Sequence, residues 1–152
     1  MKKFILILIA IIAIGMAFTT CSNKDGGIDA DGIDLDMSKM SSVLVYSQVV
    51  NIYESPDDYI GKRIKINGQY FASYYDQTEL YYHYVVVGDE FLCCQAGLEF
   101  FWNGKHTYPD DYPEDKTEIE VVGVFGSYEE LGETYYFLTV DDISVLRYYS
   151  TN

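Results

Sequence analysis

After Gly61 the hydrophobic period of the chain changes from helical to alternating, and it stays alternating almost to the C-terminus. In KRIKINGQYF, Ile64 and Ile66 fall on one face and Arg63 and Lys65 on the other, the pattern of a half-buried strand. ELYYHYVVVGD and EFLCCQAGLEFFW are further β-rich runs, bounded by Gly88-Asp89 and Asn103-Gly104. EIEVVGVFGSY and TYYFLTVDDISVL complete the set, joined through EELGE as a hairpin. Between the third and fourth runs, NGKHTYPDDYPEDKT has two prolines and no apolar periodicity, so it reads as a loop. Five mostly antiparallel strands in about 90 residues predict a mainly β fold, a small closed or nearly closed barrel.

A helix is expected before the strands. In SSVLVYSQVVNIYESPDDYIG, Val43, Tyr46, Val50 and Tyr53 recur at helical spacing, with Val49 filling the stripe. Ser42 is the expected cap, and Pro56 cannot continue the helix interior. Ser55-Pro56-Asp57-Asp58 then starts a separate single turn, with Ser55 as cap and Pro56 in first position, and Gly61 ends it.

The N-terminus has the layout of an export signal. Lys2 and Lys3 precede an uncharged apolar run from Phe4 to Phe18, and a polar segment follows. The run is shorter than the ~20 residues a membrane-spanning helix needs. Phe18-Thr19-Thr20-Cys21 resembles the bacterial lipobox, departing from its commonest letters at Phe18 and Thr20. It predicts cleavage after residue 20 and lipidation of Cys21 by acyl chains such as palmitate, which anchor the protein at the extracytoplasmic face of the cell membrane. Ordinary cleavage or an uncleaved anchor is the alternative.

Residues 21–40, rich in aspartate and glycine, read as a flexible acidic tether. Asp29, Asp31, Asp34 and Asp36 lack the D-x-D-x-D-G frame and distal glutamate of a calcium loop. Residues 41–150 are left for a single domain. The chain carries 10 basic and 24 acidic residues; without Lys2 and Lys3, 8 basic residues face the same 24, a net charge of −16. The basic cluster Lys62, Arg63, Lys65 is too small to make the positive surface that nucleic acid needs, so nucleic acid is not an expected partner.

Residues 42–146 resemble a group of small bacterial OB-fold lipoproteins of unknown function. The residues that carry the likeness are Ser55-Pro56-Asp57-Asp58-Tyr59-Ile60-Gly61-Lys62, Cys93-Cys94-Gln95-Ala96-Gly97-Leu98-Glu99-Phe100 and Tyr108-Pro109-Asp110-Asp111-Tyr112-Pro113. The resemblance implies a five-stranded OB-fold barrel preceded by one α-helix, with Gly68 and Gly123 at sharp bends. The double cysteine is also similar to one in the exported C-terminal domain of a bacterial permease family linked to zinc homeostasis. That likeness implies zinc as a candidate ligand.

Cys93 and Cys94 admit three readings. A disulfide between them is disfavoured, because Cα atoms across a trans peptide lie ~3.8 Å apart and disulfides prefer ~4.4–6.8 Å. Such a bond would be strained and readily reduced, which leaves a vicinal-thiol redox role as one alternative. Metal binding needs a bulge, since successive strand residues point to opposite faces; Gly97 supplies a place for one. Zinc would then require further donors, of which His83, His106 and Glu99 are the best placed, with Asp89 and Glu90 behind them. The plainer reading has one cysteine packed inside the barrel and the other on its surface.

Tyrosine is the other excess, 16 in all, with Tyr70, Tyr74, Tyr75, Tyr81, Tyr82 and Tyr84 concentrated on the first two strands. An aromatic barrel face can stack on sugars or bases, although tyrosine also suits half-buried strand positions in a small barrel. No phosphate loop, nucleophile elbow or H-E-x-x-H is present, so an enzyme is not expected. Glu99, set between Leu98 and Phe100, is expected either at the metal or in a salt bridge to Lys62 or Arg63. The expectation is a membrane-anchored, non-enzymatic binding module, of which zinc or a similar soft metal at Cys93 and Cys94 is the sharpest version, while packing of the cysteines is the leading reading of that pair. A metal-free structural domain contacting an envelope protein is the alternative.

Overall fold

A computed structural model describes residues 32–88 and 94–147. The signal segment, Cys21, Asp89, Glu90 and Cys93 lie outside the described residues. The fold is mainly β, with one helix and a six-stranded sheet. Its elements are β1 (Leu35–Asp36), α1 (Ser42–Glu54), a 3-10 turn (Pro56–Asp58), β2 (Arg63–Tyr75), β3 (Leu80–Gly88), β4 (Gln95–Trp102), β5 (Glu118–Glu130) and β6 (Glu133–Arg147). The order across the sheet is β1-β2-β3-β4-β6-β5, and β2 also pairs with β5.

β2 changes partner along its length. Arg63 to Gln69 pair antiparallel with β5, and Gln69 to Tyr75 pair antiparallel with β3. Gln69 belongs to both ladders, opposite Glu118 and Val86. Gly68 stands beside this switch, where a Cβ would lie 2.6 Å from the Val86 carbonyl oxygen. Gly123 is similarly crowded, its absent Cβ 2.7 Å from Val140 Cγ1 and 2.8 Å from the Thr139 oxygen. The β5–β6 register shifts between Val121 and Gly123. At both places two strands approach too closely for any side chain.

Alternation sorts the strands as expected. Ile64, Ile66, Tyr70, Val85, Leu98, Phe100, Ile119, Val121, Phe125, Leu138 and Val140 form a continuous core, while Lys65 pairs with Glu120 at 3.0 Å on the opposite face. The β5–β6 hairpin turns through Leu131 (φ 51°) and Gly132 (φ 88°), with Glu130 opposite Glu133. Two consecutive positive φ values identify a type I′ turn.

Helix α1 lies against β3 and β4, but on a different face from that expected. Val45, Val49 and Ile52 are buried, whereas Val43 and Tyr53 are exposed. Ser42 is the first helical residue; Ser41 occupies the cap position and makes no side-chain cap bond. With no acidic first turn and no basic last turn, packing rather than end chemistry holds this helix. Tyr59, after the 3-10 turn, accepts from Gln48 Nε2 at 2.8 Å and Asn51 Nδ2 at 2.7 Å, tying that turn to α1.

The end of the expected tether is ordered. β1 pairs parallel with β2, Leu35 opposite Ile64, and Ile33 and Met37 are buried. The segment Ile33-Asp34-Leu35-Asp36-Met37 alternates strictly, so its apolar residues face the core while its aspartates face outward. Asp34 Oδ2 accepts from the Arg63 amide at 2.8 Å, and Asp36 pairs with Lys39 at 3.2 Å.

Candidate functional site

β3 and β4 carry the expected donors and separate them. His83 is opposite Phe100 and Tyr84 is opposite Glu99, so His83 and Glu99 occupy opposite faces of one ladder. Cys94 is exposed, just before β4. His106 lies in the loop that follows β4. Among the described residues no three His, Cys, Asp or Glu side chains are grouped to hold a metal ion. The donors expected around zinc therefore do not form a site in this part of the chain.

Both histidines are instead members of ring stacks. His83 lies flat on Tyr112, centroids 3.9 Å apart at 13°, and its Nδ1 is 2.8 Å from the Tyr70 hydroxyl. His106 stacks on Trp102 at 3.7 Å and 8°, with Nε2 3.0 Å from the Asn103 oxygen. The loop is tied to β2 by backbone bonds from the Tyr70 amide to the Thr117 oxygen and from the Lys116 amide to the Tyr70 oxygen, both 2.8 Å. Burial pushes His83 down to about 4, so the ring is neutral at physiological pH. In the Nε2–H tautomer Nδ1 accepts from Tyr70, whose own hydroxyl is held well above the usual range by burial and neighbouring anionic groups. These rings form an aromatic plug.

A groove borders the plug and shares His83, Phe100 and Tyr112 with it. Its floor is β4 and its walls are the tips of the β2–β3 and β5–β6 hairpins, which meet where Tyr82 donates to Glu130 Oε2 at 2.7 Å. The same hydroxyl sits 2.9 Å from Thr78 Oγ1 in the β2–β3 turn. β3 has no β4 partner before His83, and the gap where the strands part opens a cavity of about 490 Å³. Seven of its eleven lining residues are phenylalanine or tyrosine: Tyr81, Tyr82, Phe100, Phe101, Tyr112, Tyr128 and Phe137. A second cavity of about 260 Å³, lined partly by Ser73, Tyr84 and Tyr135, shares Tyr82, Glu99, Tyr128 and Glu130 with the first.

Glu99 lines both cavities. The Tyr128 hydroxyl lies 3.0 and 3.2 Å from its two oxygens and donates to the carboxylate. Burial raises the Glu99 carboxyl to about 7, with Glu130 adding to the rise and Tyr128 opposing it. The surrounding hydroxyls respond in kind: burial at the hydroxyl end, even of Tyr53, which is exposed elsewhere, and the charge on Glu99 lift Tyr53 and Tyr84 to about 12 and raise Tyr128 further. Neither cavity has a lysine or arginine in its lining. The expected salt bridge from Glu99 to Lys62 or Arg63 gives way to this tyrosine cage.

Sequence reasoning singled out Glu99, Tyr82 and Tyr84 but missed Tyr128, Glu130, Tyr135 and Phe137. The signal available was Tyr128-Glu129-Glu130 and Tyr135 on either side of the hairpin turn. Its position over β4 depends on the strand register, which local pattern does not carry. No protein-family model and no curated protein matches the chain.

Proposed function

We propose that the protein is a non-enzymatic binding module, lipid-anchored through Cys21 at the extracytoplasmic face of a membrane. Its ligand site is the groove over β4. The observation that carries this reading is the cavity of about 490 Å³ between the two hairpin tips, rimmed by aromatic rings around a half-buried carboxylate. Ligand sites are commonly concave, mostly apolar and furnished with a few convergent polar groups.

The fold reading behind it is an OB-like barrel. Supporting it are five strands in the expected sequence, pairings that run β2–β3–β4–β6–β5 and return to β2, and glycines at the two tight approaches. In such barrels the second and third strands and the first and last hairpin loops form the usual binding face. Here those elements are β3, β4 and the two hairpin tips. A binding role is favoured by the ring-rich lining around Glu99 and Glu130. Zinc is left without support from the described donors.

A protein partner is the second reading. Phe71, Tyr74, Tyr75, Leu80, Tyr81 and Phe101 are exposed large side chains on β2, β3 and β4, enough apolar surface for an envelope protein to cover.

The test is amide NMR of the full chain in mild detergent, titrated with small neutral, anionic and cationic fragments. Shifts converging on Tyr82, Glu99, Tyr128 and Glu130 are expected. An unresponsive groove, with every perturbation elsewhere, would remove the ligand-site reading. Metabolic palmitate labelling that disappears in Cys21→Ala tests the anchor.

A further inference from the structure

We propose that the groove binds a small alkylated ammonium ion, its charge facing Glu99 and Glu130 and its alkyl groups resting against Tyr82, Tyr128 and Phe137. The inference rests on the reading of the groove as a ligand site and names the class of ligand.

Charge complementarity points to a cation. Two carboxylates share the cavity lining with no lysine or arginine, and its one histidine, His83, is neutral near pH 7, in a chain of net charge −14. An anionic ligand would meet repulsion both locally and at long range. A bare divalent ion needs six or more oxygen ligands or a soft donor set, and the lining supplies neither. Glu99 and Glu130 already accept tyrosyl hydroxyls, which turns their charge toward an environment of rings rather than water.

The aromatic lining selects among cations. Ring faces attract positive charge through their quadrupole, and they do so best when the cation sheds water easily. An alkylated ammonium is weakly hydrated and brings apolar surface of its own. A cavity of about 490 Å³ accommodates a ligand larger than a single ammonium group. The proposal commits to a free solute rather than a lipid headgroup, because a phosphate next to the cation would sit against the acidic groove.

Protonation gives the proposal a second handle. The titratable groups facing Glu99 are Tyr53 from α1, Tyr82 and Tyr84 from β3, Tyr128 and Glu130 from β5, and Tyr135 from β6. The tyrosines whose shifts are resolved are held protonated, whereas the Glu99 carboxyl changes charge near neutrality. With Glu99 at about 7, a cation that requires its ionised form binds about tenfold more weakly at pH 6 than at pH 8.

The experiment titrates the full chain in dodecyl maltoside with choline and with its neutral carbon isostere, 3,3-dimethylbutan-1-ol, by calorimetry and amide NMR. Choline should bind at least tenfold more tightly than the isostere, shifting the Glu99, Tyr128 and Glu130 amides. Glu99→Gln should weaken choline at least tenfold, and Glu130→Gln should weaken it too, with the NMR spectrum reporting that each variant is folded. Equal binding of choline and the isostere in the groove would overturn the cation while leaving the ligand-site reading intact. Choline without effect on the groove, where another fragment shifts it, would do the same; a groove inert to every fragment would remove both. Phosphocholine binding as tightly as choline would overturn the free-solute assignment in favour of a headgroup.

Discussion

Neighbouring rungs of the same ladder carry two aromatic sites with opposite fates. At His83↔Phe100 the side chains point into the plug, where His83 is stacked on Tyr112 and bonded to Tyr70. At Tyr84↔Glu99 they point into the groove, where the carboxylate meets Tyr128 and faces an open cavity. Burial drives both titrating groups toward their neutral forms, His83 down to about 4 and Glu99 up to about 7. The difference lies in where those values fall. Near pH 7 the histidine is locked in one state, whereas the carboxylate is balanced between two. The larger cavity is lined from both, by His83, Phe100 and Tyr112 of the plug and by Glu99 of the other face, and of the pair His83 and Glu99 the carboxyl is the one that changes charge near neutrality.

The largest expected effect breaks the plug. Tyr70 is fully buried between His83, Phe100 and Tyr112, and Tyr70→Ala should destabilise the fold by about 3–5 kcal/mol in denaturant unfolding. A loss below about 1 kcal/mol would mean that the plug is ornamental. Gly68→Ala attacks the strand shared by both hairpin systems. Its Cβ would collide with the Val86 backbone, and a loss of about 2–3 kcal/mol is expected.

The comparison is sharpest in the pH dependence of stability. His83 binds protons more readily unfolded, so its contribution is complete above about 6.5 and is lost as pH falls toward 4. Glu99 binds protons more readily folded, so its contribution is complete below about 4.5 and is lost as pH rises through 7. Between about 4.5 and 6.5 the two slopes oppose each other. Glu99→Gln should therefore add a rise in stability with pH relative to wild type, and His83→Phe a fall. Each difference should reach about 1–2 kcal/mol, the nominal value reduced for partial solvent screening. Differences of the same sign in the two variants would contradict the opposed burial of the two groups.

The smallest effect lies at the groove's rim. Leu131 occupies the first left-handed position of the type I′ turn and is exposed. Leu131→Asn should raise the unfolding midpoint by the equivalent of up to about 1 kcal/mol, since asparagine tolerates that conformation. A change confined to the turn should leave fragment shifts at Glu99 unaltered.

The five principal strands were legible because their alternation is strong, but β2 runs on past the expected Phe71 to Tyr75, where no glycine, proline or asparagine marks its end. Helix α1 was legible in extent but not in orientation. Its sequence is apolar on almost every side, so the stripe through Val43 and Tyr53 competes with the true one through Val45, Val49 and Ile52. Residues 33–37 were hidden by composition: the aspartates suggested a solvated tether, while the alternation beneath them marked a strand. Glu99 stood out as a charge between two apolar residues. Its partners Tyr128 and Glu130 did not, because they come from β5, nearly thirty residues away, and only the assembled sheet brings them over β4.

The parallel pairing of β1 with the start of β2 also sets an orientation. The chain enters the domain beside Ile64 and Lys65, whereas the groove opens near the far end of β2, at the Tyr75–Leu80 turn. Twelve strand steps separate Arg63 from Tyr75, up to about 40 Å for an extended strand and less with the bend at Gly68. Under the proposed anchor at Cys21, β2 would act as a mast that carries the groove's mouth away from the point of attachment.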